Sequence, residues 1–145
     1  MTKLNHKVAL VTGGSRGIGK AIVKQLSAAG AIVYFTYNQN EELANKLVDE
    51  LSQNGTSSIA CQMDIQLRDS IKSVMKKIES ESDCLDILVN NAGVNKPTDF
   101  DQITDSDWDE ILNVNLKGPF VCVQEALHLM KQSKEGSIIN IGSVS

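Results

Sequence analysis

The chain is short of the residues that staple small proteins together. Its 145 residues include three cysteines, two histidines and two prolines, and aromatic residues make up 4%. Cys61, Cys84 and Cys122 form neither a C-x-x-C pair nor an even set, and each has apolar neighbours. They read as small core residues in a reducing compartment, not as a disulfide frame. His6 and His128 stand far apart without partners at ligand spacing, so no metal site is expected. No apolar run nears the ~20 residues a membrane span needs, and Met1 to Lys7 is polar, unlike a signal peptide. No membrane partner and a cytoplasmic location are expected. Lys and Arg form no block, and 14 of them against 18 Asp and Glu leave a net charge of -4, which argues against nucleic acid. Phe100 and Trp108 read as core or rim packing, since no basic stripe surrounds them. A chain this long can bury roughly two-thirds of its unfolded surface, enough for one soluble domain.

What is present is an alternation. Val8 to Val11, Ile32 to Tyr37, Ser58 to Met63, Ile87 to Val89 and Ser137 to Ile141 have the length and composition of strands. Helical periods lie between them. Ile18, Ala21, Ile22, Gln25, Leu26 and Ala29 make one stripe, Leu43, Leu47, Val48 and Leu51 a second, and Ile71, Val74, Met75 and Ile78 a third. A fourth opens on Thr104-Asp105-Ser106-Asp107, a capping-box pattern. It runs through Trp108, Ile111 and Leu112 towards Leu116, Phe120, Ala126, Leu127 and Met130. Pro119 predicts a break there, or the first turn of a second helix. Gly30, Gly55 and Gly136 stand where helices should stop. The order predicts an α/β, doubly wound, Rossmann-like parallel sheet whose ligands sit at the carboxyl ends of the strands.

Those ends carry the candidate chemistry. After the first strand comes Thr12-Gly13-Gly14-Ser15-Arg16-Gly17-Ile18-Gly19, leading straight into a helix. Glycines permit a tight turn, and the helix N-terminus behind it offers N–H groups and a positive dipole end to a pyrophosphate. The spacing differs from G-x-G-x-x-G, but the strand-then-helix context is the one a dinucleotide motif needs; a plain glycine-rich turn is the other reading. About twenty residues on, where an NAD-binding chain places an acid for the ribose hydroxyls, stand Tyr37 and Asn38. With no carboxylate there and Arg16 able to pair with a 2′-phosphate, NADP(H) is expected over NAD; read alone, Arg16 is a solvated cation.

That turn, Asp64-Ile65, Asn90-Asn91-Ala92-Gly93, Asn115 in Asn113-Val114-Asn115-Leu116, and Ser143 fall in order at the ends of the expected strands or on the fourth helical region. Together they resemble the short-chain dehydrogenase/reductase family, from Lys7 to Ser145. Within it, Gly-Gly-Ser-Arg-Gly-Ile-Gly and the ending Ile138 to Val144 are similar to the 3-oxoacyl-acyl-carrier-protein and acetoacetyl-CoA reductases. The resemblance implies a cofactor-binding set of Gly13, Ser15, Arg16, Gly17, Ile18, Gly19, Asn38, Asp64, Ile65, Asn91, Ala92 and Gly93. Asp64 would accept from the adenine amino group while the Ile65 backbone passes the ring, though the residues alone equally suit a helix N-cap at Asp64. Asn91, Ala92 and Gly93 would line the cofactor, or form a plain loop. The implied catalytic residues are Asn115, interrupting a helix and holding a water of a proton relay, and Ser143, donating to the substrate carbonyl oxygen. The implied activity is NADPH-dependent reduction of a 3-oxoacyl thioester, carried on acyl carrier protein or CoA, with another small ketone or a sugar as the alternative substrate, in a homo-oligomer when full length.

The family's Tyr-x-x-x-Lys pair is missing, because Tyr34 and Tyr37 both lie in the second strand. General acid catalysis of this kind contributes roughly 10²- to 10⁴-fold. The chain alone is therefore expected to be inactive, a domain cut after its fifth strand. Ser137 to Ile141 would then form an unguarded edge that invites association. A non-catalytic NADP-binding module, or an inert remnant, is the alternative.

Overall fold

The computed structural model describes residues 4–143, so Met1 to Lys3 of the polar N-terminus, Val144 of the last motif and Ser145 lie outside the described residues. The chain runs β1 (Val8–Val11), α1 (Gly17–Ala28), β2 (Ile32–Tyr37), α2 (Glu41–Gln53), β3 (Ser58–Gln62), α3 (Arg68–Glu81), β4 (Ile87–Asn90), α4 (Asp105–Leu112), α5 (Gly118–Met130) and β5 (Ser137–Asn140). All pairs are parallel, in the order β3-β2-β1-β4-β5. The winding reverses between β1 and β4.

Strands buried on both faces read as unbroken apolar runs, and successive side chains leave the sheet on opposite sides. Ala9, Val11, Val33 and Phe35 pack on one side with Val23 of α1 and Ala44, Leu47 and Leu51 of α2. Val8, Leu10, Tyr34 and Leu88 pack on the other with Ile71, Met75 and Ile78 of α3 and Cys122, Ala126 and Leu129 of α5. β5 is an outer strand, and all four of its residues are exposed.

At the amino ends of the strands sits a buried carboxylate. Asp86 accepts from the Val8 N–H at 2.9 Å, the Ser133 hydroxyl at 2.7 Å and the Lys7 ammonium at 3.1 Å. Its main chain donates to Val8 O and accepts from Ser137 N, so one residue joins the starts of β1, β4 and β5.

Several expectations need correction. β3 and β5 end one residue early and β4 one late. On α1 the buried residues are Gly19, Val23 and Ser27, whereas Ile18 and Ala21 are exposed. The first turn of that helix faces a cavity and not the sheet. Phe100 and Trp108 are neither core nor rim, being 92% and 61% exposed. Of the two readings of Pro119, the first turn of a second helix holds and the break does not: α4 and α5 are joined by a π-helical turn, Asn113–Lys117, and Pro119 sits in the first turn of α5. The joined helix leaves Trp108, Leu112, Leu116 and Phe120 exposed. Gly136 stops no helix, since α5 ends at Met130, and it immediately precedes β5. Cys61 and Cys122 are buried, but Cys84 is only half-buried. Among the described residues no helix is long and apolar enough to cross a membrane, and no group of three His, Cys, Asp or Glu could hold a metal ion.

Candidate cofactor site

The site is built from the turn after β1. Gly13 and Gly17 hold φ of +64° and +54°, a region that favours glycine, and they fold the chain back into α1. Side chains from neighbouring strands fasten this turn. Thr36 Oγ1 accepts from Gly13 N at 3.1 Å, and Thr12 Oγ1 accepts from the N–H groups of Asn91 and Ala92, both at 3.0 Å. Asn91 Nδ2 donates to the carbonyls of Thr12 and Gly13, each at 3.0 Å. The Asn91 carboxamide thus builds the turn, while its backbone borders the space in front of it. Arg16 stands at the N-cap of α1, exposed, and makes no side-chain capping bond, leaving the first N–H groups of the helix to face outwards.

In front of the turn lies one cavity of about 970 Å³. Gly13, Ser15, Arg16, Gly17, Ile18 and Gly19 line it from β1 and α1, Asn38 from the end of β2, Asp64 and Ile65 from the end of β3, and Asn91, Ala92 and Gly93 from the end of β4. Twelve residues drawn from four strand ends share this wall. Asp64 takes the Asx geometry, its Oδ1 accepting from Gln66 N at 2.9 Å, so the N-cap of α3 is Leu67 and not Asp64.

The two expected catalytic residues lie outside that wall. Asn115, on the π turn, accepts from Val94 N at 2.8 Å and donates to Val94 O at 2.9 Å, clipping the loop after β4 to the α4–α5 helix. Asn115 interrupts the α-helix as part of a π turn, which widens the helix between α4 and α5. Lys96 fastens the same loop to α4 through Asp107, at 3.2 Å, and Glu110. The Thr104 hydroxyl and N–H and the Lys96 ammonium hold the Asp107 carboxyl down at about 2. Ser143 lies exposed beyond β5.

Three cavity-lining carboxylates escaped the reading of the sequence, Glu110 of α4 among them. Glu41 and Glu42 line the cavity beyond Asn38. They sit in the first turn of α2, where acids suit the positive end of the helix, and the tight turn capped by Asn40 carries them back to the end of β2. Glu42 is paired with Lys46 at 2.6 Å. Burial and the Glu41 carboxylate push the Tyr37 phenol up. Burial also pushes the Cys61 thiol up to about 11 and Cys122 up to about 12, so neither supplies a thiolate nucleophile near neutral pH.

The cradle fits a dinucleotide. The cavity volume is in the range of small-molecule sites, and the turn admits no Cβ at Gly13 or Gly19 without meeting Ala92, Asn91 or the turn itself.

Residues 7–145 match the family model described as short chain dehydrogenase. The 3-oxoacyl-[acyl-carrier-protein] reductase FabG of Staphylococcus aureus is 39% identical over 138 residues, 95% of this chain and 56% of the relative. A short-chain dehydrogenase from Burkholderia cenocepacia, solved in complex with NADP, superposes with a TM-score of 0.92 at 39% identity, over 98% of this chain and 57% of that one. A blue fluorescent protein from a metagenomic library, solved with NADPH, gives 0.90 at 40% identity over 97% and 57%. The chain spans little more than half the length of these relatives.

Proposed function

Because the chain belongs to the short-chain dehydrogenase family, we propose that its cavity holds NADP(H), and that the whole protein is an NADPH-dependent reductase of 3-oxoacyl thioesters on acyl carrier protein or CoA. The observation that carries the cofactor reading is the convergence of the glycine turn and three further strand ends on one cavity. The α1 N-terminus and the turn amides hold the pyrophosphate, Arg16 faces the 2′-phosphate, and Asp64 and Ile65 flank the adenine. The bound nicotinamide supplies the hydride. Asn115 acts as a positioning residue, holding Val94 and with it the Gly93 side of the wall, and Ser143 donates to the substrate oxygen. The substrate class follows the reductases that this chain resembles, and a cytoplasmic location goes with it.

The 145 residues suit binding better than turnover. The Tyr34 hydroxyl donates to Glu81 at 2.8 Å inside the fold, and Tyr37 lies on the wall at the end of β2, where the adenosine is placed, so neither serves as proton donor. The isolated chain is proposed as an NADP-binding module without reductase activity. NADPH fluorescence tests both parts of the reading. The chain alone enhances it, and replacing Arg16 with alanine weakens NADPH by about 10- to 100-fold, the worth of a charge-assisted bond, with far less effect on NADH. Equal losses for the two cofactors would remove the assignment of Arg16.

The homo-oligomer is placed on the Trp108, Leu112, Leu116 and Phe120 row. A two-fold contact matches a patch with its own copy, and an uncharged apolar row is self-complementary. In the whole protein, Leu116→Glu is expected to reduce the sedimenting species to monomer while cofactor fluorescence is retained; an unchanged sedimentation coefficient would rule this surface out.

A further inference from the structure

We propose that Gln62, which does not touch the cavity, is a positioning residue for its adenosine end. This rests on the cofactor reading above and adds to it what holds the discriminating turn in place. β2 and β3 pair with Tyr37 opposite Gln62, and the Met63 N–H bond to Tyr37 O, at 2.8 Å, is the last main-chain tie between them. Beyond it the chain leaves the sheet through Asn38, Gln39 and Asn40, all exposed. Gln62 carries the pairing one residue further with its side chain, Nε2 donating to the Asn38 carbonyl at 3.1 Å. The other bonds of this turn, Glu41 N to Gln39 O and Leu43 N to Asn40 Oδ1, are internal to it and α2, and the Glu41 carboxylate beside the Tyr37 phenol is its other tie to the sheet.

What the turn carries is charge. Asn38, Glu41 and Glu42 line the cavity with Arg16, so one cation and two carboxylates, of which Glu42 is paired with Lys46, border the space assigned to the 2′-phosphate. The balance between attraction and repulsion depends on how far the α2 start stands from Arg16. Such interactions between solvated charges fall off within about 10 Å, so displacing the turn by a few ångströms changes it. Gln62 fixes that spacing through Asn38 and contributes no charge of its own. Its loss acts on ligands bearing a 2′-phosphate and spares those without one.

The test titrates the whole chain with adenosine 2′,5′-bisphosphate and with 5′-AMP, each displacing NADPH fluorescence. Gln62→Met keeps length and removes the donor, and it is expected to weaken the bisphosphate by about 3- to 10-fold, the range for one neutral hydrogen bond, with 5′-AMP changed less than about twofold. Gln62→Glu, which adds an anion in the same shape, is expected to lose at least as much. Thermal midpoints of both variants should stay at the parental value, since the side chain is exposed. Equal weakening of the two nucleotides, or none, overturns the role of Gln62 alone. Failure of the parental chain to bind either nucleotide overturns the cofactor reading and this proposal with it.

Discussion

Gly19→Ala is expected to abolish NADPH fluorescence enhancement and to lower the stability of the chain by about 3 kcal/mol or more, the upper end for an overpacked site. Gly19 is buried in the first turn of α1, and a Cβ there would be driven into the carbonyl oxygen of Gly13 and stand 2.5 Å from Asn91 Nδ2. Neither neighbour can yield cheaply. Gly13 O is main chain in a turn, and Asn91 Nδ2 is already bonded to the carbonyls of Thr12 and Gly13. Relief therefore requires breaking the Asn91 bonds or moving α1 away from the β1 turn, and either change opens the cradle. Gly17→Ala is the control, because a Cβ at Gly17 meets nothing within 4 Å and the strain there comes from its φ of +54° alone. It should cost only about 1 to 2 kcal/mol, the price of a left-handed residue. Urea unfolding and cofactor titration of the pair separate the two effects; a Gly19→Ala chain that binds NADPH normally would show that the turn is not the cradle described.

Asp86→Asn is expected to cost about 2 to 4 kcal/mol at pH 7 in urea unfolding, the consequence of losing a buried charged acceptor with several donors around it. The amide keeps the shape but turns an NH₂ either towards the Val8 N–H or towards the Ser133 hydroxyl and the Lys7 ammonium together. Burial by itself would raise the Asp86 carboxyl. The bonds from the Val8 N–H, the Ser133 hydroxyl and Lys7 outweigh it and hold the group below its ordinary value of 3.8. A carboxyl more acidic in the folded than in the unfolded chain stabilises the fold fully above the unfolded value, and that contribution disappears as pH falls through the folded one. The difference between parent and Asp86→Asn should then be constant from pH 8 to 5 and shrink below about pH 4. A difference that does not change down to pH 3 would mean that the carboxylate charge is not what stabilises this end of the sheet. Lys7 is the smaller part, because its side chain is 32% exposed and solvent screens the pair.

The sheet was legible because its strands and helices alternate in composition over the whole chain. The glycine turn and the strand ends were legible because a doubly wound topology places them at one edge whatever the helices do. Helix faces were harder to read. Ile18 fits the stripe of α1 by spacing, yet it points at the cavity, since spacing marks an apolar face without saying what covers it. Phe120 and Leu127 fit the spacing of α5 but are exposed, while Val121 and Cys122 pack inwards on a helix apolar on most sides. Nothing in Asn113-Val114-Asn115-Leu116-Lys117 announces a π turn. Glu41, Glu42 and Gln62 were missed for another reason: each is ordinary in its own element and gains meaning from a neighbour across the fold. Asp86 joins groups 47 and 78 residues away.

The π turn between α4 and α5 works as a phase corrector. An α-helix advances about 100° per residue, so the twelve steps from Trp108 to Phe120 would leave those two rings about 120° apart around the axis. Bonding that skips an extra residue, as Gly118 N to Asn113 O does, lowers the advance to about 80° per residue over Asn113 to Lys117 and recovers most of that angle. Trp108, Leu112, Leu116 and Phe120 come into a nearly straight line. The same unwinding sets where Val114 meets the cavity and where Asn115 meets Val94. Deleting one residue from the turn would restore the ordinary helical pitch and put the inner wall and the outer row out of step, so that only one of them could keep its place.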